Sequence, residues 1–258
     1  MTDPEPGPAP LKSPSFVKDS AAFLRGLYRD ERSQWNSRYK RYFKAAARAL
    51  GLGFVLGFAV FLIWPAQEKK AMLLLLKALK DIPLGAPPLV LALTLFYHNA
   101  RASLIAVAAG GIPFLCLPVL DPFVNGAALG LLASVSKHQG LDVPLLFLKS
   151  VAPHGLFELP AVLYATSAGI HLSVTLGKVL RAKLRKRRAD GTAEAPPRTD
   201  GWTPSGVELT GGPAEAGPGD IPSVADELAS VARSFVLVVL PLLLVAAFIE
   251  AFVTPVLR

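Results

Sequence analysis

Apolar residues are gathered into long runs separated by short polar breaks. Residues 44–64 form one run and residues 233–253 form another. Between them, residues 89–180 make one long apolar block, with breaks at 110–113, 121–122 and 136–144. A helix needs about 20 apolar residues to cross the hydrocarbon core of a bilayer. The pattern predicts an all-α integral membrane protein.

The positions of basic residues set the expected number of crossings. Ten of the 27 Lys and Arg residues precede residue 49, and a second group occupies residues 178–188. Basic flanks mark the cytoplasmic side, so both groups are expected on that side. The block 89–180 then crosses three times, at about 89–109, 112–134 and 145–178. We expect about five transmembrane helices, with a cytoplasmic N-terminus and the C-terminus outside.

The third crossing of the block is longer than one span needs. Pro153 and Pro160 lie within it, and proline removes a helical hydrogen bond and crowds the preceding turn. We therefore expect a broken or re-entrant helix around residues 145–160.

Three polar segments flank or join the spans. Residues 1–43 are predicted as a Pro-rich cytoplasmic tail followed from residue 15 by a basic amphipathic helix, able to lie on an anionic leaflet or simply to lead into the first span. Residues 65–88 are predicted as an outer loop with a short interfacial helix. Residues 181–232 are predicted as a linker, first basic and then acidic and rich in Pro and Gly.

Composition supports a membrane protein. The chain is 52% hydrophobic and only 18% charged, whereas soluble domains carry about 25% charged residues. The net charge of +8 is concentrated beside the spans, which argues against nucleic-acid binding. A single cysteine, Cys116, permits no disulfide within the chain. The basic run is either a lipid-headgroup site or a topology flank, and comprises Arg181, Lys183, Arg185, Lys186, Arg187 and Arg188.

Five polar residues are predicted at membrane depth in one outer-facing region: His154, Glu158, Glu250, Asn99 and Asn125. Ionisable residues in a membrane are costly and usually mark a functional site. The alternative is structural. His154 and Glu158, four residues apart, can pair with each other at the start of a helix, and Glu250 can reach the outer interface.

Other polar residues have structural interpretations. Asn99 and Asn125 are expected to form hydrogen bonds between helices. Arg101 is expected to pair with a buried carboxylate. His98, His138 and His171 are interpreted as packing or interface residues.

No motif predicts catalysis. His154 and Glu158 supply two candidate ligands where a catalytic zinc needs three, and neither G-x-S-x-G nor a phosphate-binding glycine loop occurs. We predict no catalytic residue, no metal and no cofactor.

Several stretches resemble the stage II sporulation protein M family. They are "APHGLFELPAVLYATSAGIHL", "LFYHNARASLIAVAAGG", "VNGAALG" and the terminal "AAFIEAFVTP". The resemblance implies a helical membrane protein of about five spans, whose namesake holds cell-wall-degrading partners in a complex during spore engulfment. It implies a non-enzymatic scaffold in a bacterial inner or plasma membrane, with membrane or wall-associated protein partners. The sequence also leaves a homo-oligomer open. A transporter or channel subunit and an intramembrane hydrolase remain as alternatives.

Overall fold

The computed structural model describes residues 15–191 and 223–257, apart from residues 79, 81, 84 and 116. The Pro-rich tail, Cys116 and most of the predicted linker therefore lie outside the described residues. The chain divides into two compact units, Met1–Arg38 and Tyr39–Arg258. All regular structure in the described residues is helical.

The first unit contains helix α1, Ser15–Gln34, as the sequence predicts. Charged residues alternate with Phe23, Leu27 and Tyr28 along it, and the side chains of Phe23 and Tyr28 are exposed. A π-helical segment, Trp35–Tyr39, follows.

The second unit contains helices α2 to α10. Its elements are α2 (Lys40–Ile63), α3 (Pro65–Ala78), α4 (Pro88–Ala109), α5 (Leu120–His138), α6 (Val143–Leu146), α7 (Ala152–Gly191), α8 (Val224–Ser234), α9 (Leu240–Phe248) and α10 (Thr254–Leu257). Five helical runs among the described residues are long and apolar enough to cross a membrane: Arg25–Ile63, Pro88–Ala109, Leu117–His138, Val143–Arg187 and Val224–Val256. The predicted all-α architecture with five spans is confirmed.

Glycines bring α2 and α5 into backbone contact. A Cβ atom added at Gly53 would meet the carbonyl of Phe123, and one at Gly57 would lie 2.6 Å from the carbonyl of Ala127. From the other side, Gly126 and Gly130 lie against the backbone of α2. Each helix thus carries its own G-x-x-x-G pair. This spacing lets two helix backbones approach closely, and such packing stabilises helix association in lipid, where the hydrophobic effect does not act between helices.

Helix α7 is the centre of the second unit. Residues 161–173 are all buried, and α7 packs against α2, α4 and α9. Small residues predominate here, in the stretch "AVLYATSAGIHLS". A helix that is buried on every face must lie inside the bundle.

Prolines produce π-helical segments where the sequence suggested a break. Helical structure is continuous from Val143 to Gly191, with a π segment at Phe147–Val151, and Pro160 lies inside α7. Two further π segments, Phe235–Val239 and Ile249–Val253, lie in the C-terminal helix. Each of these three segments ends two residues before a proline, at 153, 241 or 255. The wider turn accommodates a proline that lacks an N–H and crowds the carbonyl four residues earlier.

Candidate functional site

An imidazole and a carboxylate meet between α7 and the C-terminal helix. Nδ1 of His154 lies 2.6 Å from Oε2 of Glu250. His154 is in the first turn of α7, just after one π segment, and Glu250 lies inside another. Both side chains are about four-fifths buried, at 20% and 23% exposure. The two π segments therefore adjoin the two residues that form this pair.

Glu158 lies one turn beyond His154 on α7. The amide of Asn99, on α4, donates a hydrogen bond to the Glu158 carboxylate, and both His154 and Glu250 interact with it electrostatically. His154 thus pairs with Glu250 on the C-terminal helix, and Glu158 lies within electrostatic range of both. Glu250 is the like-charged neighbour of Glu158, and a protonated His154 would offset the repulsion between the two carboxylates.

These side chains open into two neighbouring cavities. A cavity of about 560 Å³ is lined by Lys80, Asn99, His154, Glu158 and Glu250, among others. A second, of about 380 Å³, also reaches His154 and Glu158 and is lined by Asn125 on α5. Each of the five residues predicted at membrane depth therefore lines at least one of two cavities that share His154 and Glu158, and we call the five the His154 cluster.

The His154 cluster offers one imidazole, two carboxylates and two amides. This set can hold or pass a proton and can bind a cationic or hydrogen-bonding group. Within the described residues, no group of three or more His, Cys, Asp or Glu side chains is arranged to hold a metal ion.

Comparison with known proteins identifies the family. The family model of stage II sporulation protein M matches residues 46–255, which is most of the chain. The chain belongs to the stage II sporulation protein M family. Comparison with curated proteins gave no match, and comparison with solved structures gave none.

This family member has a second buried pair that the sequence did not predict. Nε2 of His171 lies 2.8 Å from Oε1 of Glu227, whose side chain is only 2% exposed. The ring of Tyr39 packs edge-on against His171 and against Tyr164, and its hydroxyl is 3.4 Å from Ser234. We call these five residues the His171 cluster.

Glu227 was missed because residues 181–232 were predicted to be linker. In the structure α7 runs on to Gly191 and α8 begins at Val224, so both ends of that range are helical. A signal was present: Ser223 and Asp226 have the spacing of a helix-starting capping box, although the Ser223 side chain forms no capping hydrogen bond.

A third pair fixes the short helix α3. Oε2 of Glu68 lies 2.8 Å from Nδ1 of His138 and accepts a hydrogen bond from Ser134, both on α5. The histidines at 138 and 171 were interpreted as packing or interface residues, and each has a carboxylate partner on another helix.

The remaining predicted residues are placed as follows. In the basic run, the side chains from Arg181 to Arg187 that were predicted as a headgroup or topology site are exposed, and that of Arg188 lies outside the described residues. The Arg181 guanidinium lies 5.0 Å from the ring centre of Phe114. Arg101, expected to pair with a buried carboxylate, is exposed on α4, and none of the described carboxylates pairs with it.

Proposed function

We propose that the chain is a non-enzymatic multi-pass scaffold that anchors cell-envelope remodelling partners in a bacterial inner or plasma membrane. One observation carries the proposal: three histidines pair with glutamates on other helices. Side chains used in this way hold helices in fixed positions, because each pair joins two helices and gives a polar group on one of them a partner. The result is a rigid membrane platform.

Charged appendages on that platform suit recruitment. The basic residues at the end of α7 are exposed, and α1 forms part of a separate compact unit. Family membership supports peptidoglycan-associated partners, since the namesake of the family holds cell-wall-degrading proteins in a complex. The scaffold serves by position and does no chemistry of its own.

Recovery of partners after crosslinking in native membranes tests the scaffold. The full chain should retain a defined membrane or wall-associated protein. Alanine at His154, Glu158 or Glu250 should lower the amount of folded protein, while partner recovery per folded molecule stays constant. Failure to recover any partner would overturn the scaffold. Normal protein level with lost recovery would make the His154 cluster itself the binding site.

The 560 Å³ cavity favours one second candidate, a transporter or channel subunit. Its lining includes Lys80, Asn99, His154, Glu158 and Glu250, and polar residues at membrane depth commonly mark a solute or proton path. Vesicles containing the purified chain and a pH-sensitive dye would show proton flux that falls with Glu158→Gln. The matched control is Asp226→Asn, an exposed carboxylate outside the cavity. Equal flux in empty vesicles and in vesicles with the chain would exclude this candidate.

A further inference from the structure

Helix α4 turns one face towards the bundle and leaves the opposite face open. Ser103, Ala106 and Val107 are buried. The open face carries side chains three or four residues apart, which share one side of a helix. We call this face the α4 stripe, and it consists of the exposed residues Leu93, Tyr97, Arg101, Leu104 and Ile105.

A permanent cation lies in the middle of this apolar stripe. Helix α4 has 22 residues, about 33 Å, so it matches the hydrocarbon thickness of a bilayer. Arg101 lies about 20 Å from the Pro88 end and about 12 Å from the Ala109 end. Side chains in a helix lean towards its N-terminus, which here points Arg101 away from the nearer membrane boundary.

Arginine in that position needs a counter-charge. The guanidinium is always protonated and has five N–H donors. Lipid tails offer neither an acceptor nor a charge, and charged side chains in membrane helices almost always face protein or a water-filled cavity. No carboxylate in the described part of the chain forms an ion pair with Arg101. Glu68, Glu227 and Glu250 pair with histidines, and Glu158 accepts a hydrogen bond from Asn99. The stripe therefore has a charge that the described part of the chain does not balance.

We propose that the α4 stripe docks a membrane-spanning helix of a different protein, one that carries an Asp or Glu at the depth of Arg101. Charge complementarity selects this occupant, because a carboxylate can accept two parallel hydrogen bonds from the guanidinium. A second copy of the chain joined stripe to stripe about a two-fold axis would place two Arg101 cations together. The inference rests on the proposed scaffold function and names the chemistry of its partner.

The shape of the stripe supports a helix as the occupant. Tyr97 is 62% exposed and lies one turn before Arg101, while Leu104 and Ile105 lie one turn after it. An aromatic and two aliphatic side chains around the guanidinium would exclude lipid from the ion pair and pack against a second helix.

Site-specific photocrosslinking of the full chain in its native membranes tests this docking. A photoreactive residue at Leu104 should give one discrete adduct with another membrane protein. The same residue at Leu52, an exposed apolar position on α2, should not give that adduct. Arg101→Gln should lower the adduct yield at least about tenfold, and Arg101→Lys should retain much of it. Because Arg101 is exposed, the thermal stability of both variants should match the unmodified chain.

Charge reversal then decides whether the ion pair is real. Mass spectrometry of the adduct should identify a partner with an acidic residue inside an apolar span. Changing that residue to its amide should abolish the adduct, and combining Arg101→Glu with a basic residue in the partner should restore it.

Four results would overturn the proposal: no adduct, an adduct with a second copy of the chain, a partner without an acidic residue in its span, or an adduct indifferent to Arg101→Gln. In each case a partner recovered by general crosslinking would leave the scaffold function standing. Loss of all partners would remove both.

Discussion

Glu227 and Glu250 each contribute to stability by pairing with a histidine on α7. Glu227 is 2% exposed and His171 is 11% exposed, so each side chain serves as the polar partner that water would otherwise provide for the other. Removing one partner of such a pair leaves the other buried and unsatisfied, which costs about 1–3 kcal/mol. The same argument applies, with a smaller cost, to the more accessible pair of His154 and Glu250.

Glu227→Ala should therefore destabilise the chain by about 1–3 kcal/mol, and Glu227→Gln by less, because an amide can still bond to the imidazole. Asp226→Asn is the matched control, since the neighbouring carboxylate is exposed and its change should have little effect. Thermal unfolding in detergent measures all three. Equal melting temperatures for Glu227→Ala and Asp226→Asn would show that the pair adds no stability.

His154 and Glu250 should be energetically coupled. At 2.6 Å, each single alanine change already removes the contact, so the double change should cost less than the sum of the two. A coupling energy of about 0.5–3 kcal/mol is expected from denaturant unfolding of the four chains in mixed micelles. Additive effects would indicate that the two side chains are merely neighbours.

Prolines and glycines decide how the helices run and meet. Three prolines each follow a π segment by two residues, so a residue that usually ends a helix here widens one turn and lets the helix continue. Two of those segments adjoin His154 or contain Glu250. Pro153 and Pro255 thus affect both the course of these helices and the positions of His154 and Glu250.

Gly53→Ala should destabilise the second unit, because the added methyl would strike the backbone of α5 and no flexible side chain can move aside. Overpacking of this kind costs about 1–3 kcal/mol or more. Gly51→Ala is the control in the same helix: nothing lies within 4 Å of its Cβ position, so the change should be neutral or slightly stabilising. Gel filtration after heating measures the difference, and similar losses for both variants would contradict the packing argument.

Sequence patterns predicted the elements better than their contacts. Apolar runs predicted the five spans, because length and hydropathy are local properties, but the first, fourth and last helical runs extend well beyond their apolar segments. Gly53 and Gly57 form a G-x-x-x-G pair that can be read from the sequence, but the fact that their neighbour is α5 depends on which helices meet in space. His171 and Glu227 are far apart along the chain, so no local pattern could join them. At Pro153 the structure has a π segment within a continuous helix in place of a re-entrant break. The sequence does not distinguish the two, because they differ in the pattern of backbone hydrogen bonds.

An odd number of crossings predicts that the two ends of the membrane core lie on opposite sides of the membrane. The basic flanks further predict that the N-terminus is cytoplasmic. The His154 cluster, near the start of α7, would then lie towards the outer face. The His171 cluster would lie towards the cytoplasm.

Cysteine labelling in a Cys116→Ser background checks this topology. Single cysteines at positions 140 and 258 should react with an impermeant thiol reagent in intact cells, whereas one at 190 should react only after lysis. The cysteine at 190 is the internal control for membrane integrity. A position 258 protected in intact cells would reverse the predicted orientation of the last span.

The two pairs between α7 and the C-terminal helix also bear on chain continuity. His154 and His171 lie about 26 Å apart along α7 and meet Glu250 and Glu227, which fixes an antiparallel register at both ends. The two side-chain pairs define this register whether or not the chain between α7 and α8 is continuous. Two separately translated pieces, ending and beginning anywhere within residues 192–222, should therefore reassemble in the membrane into a split but working protein. The two histidine–glutamate pairs would determine how the two pieces align with each other.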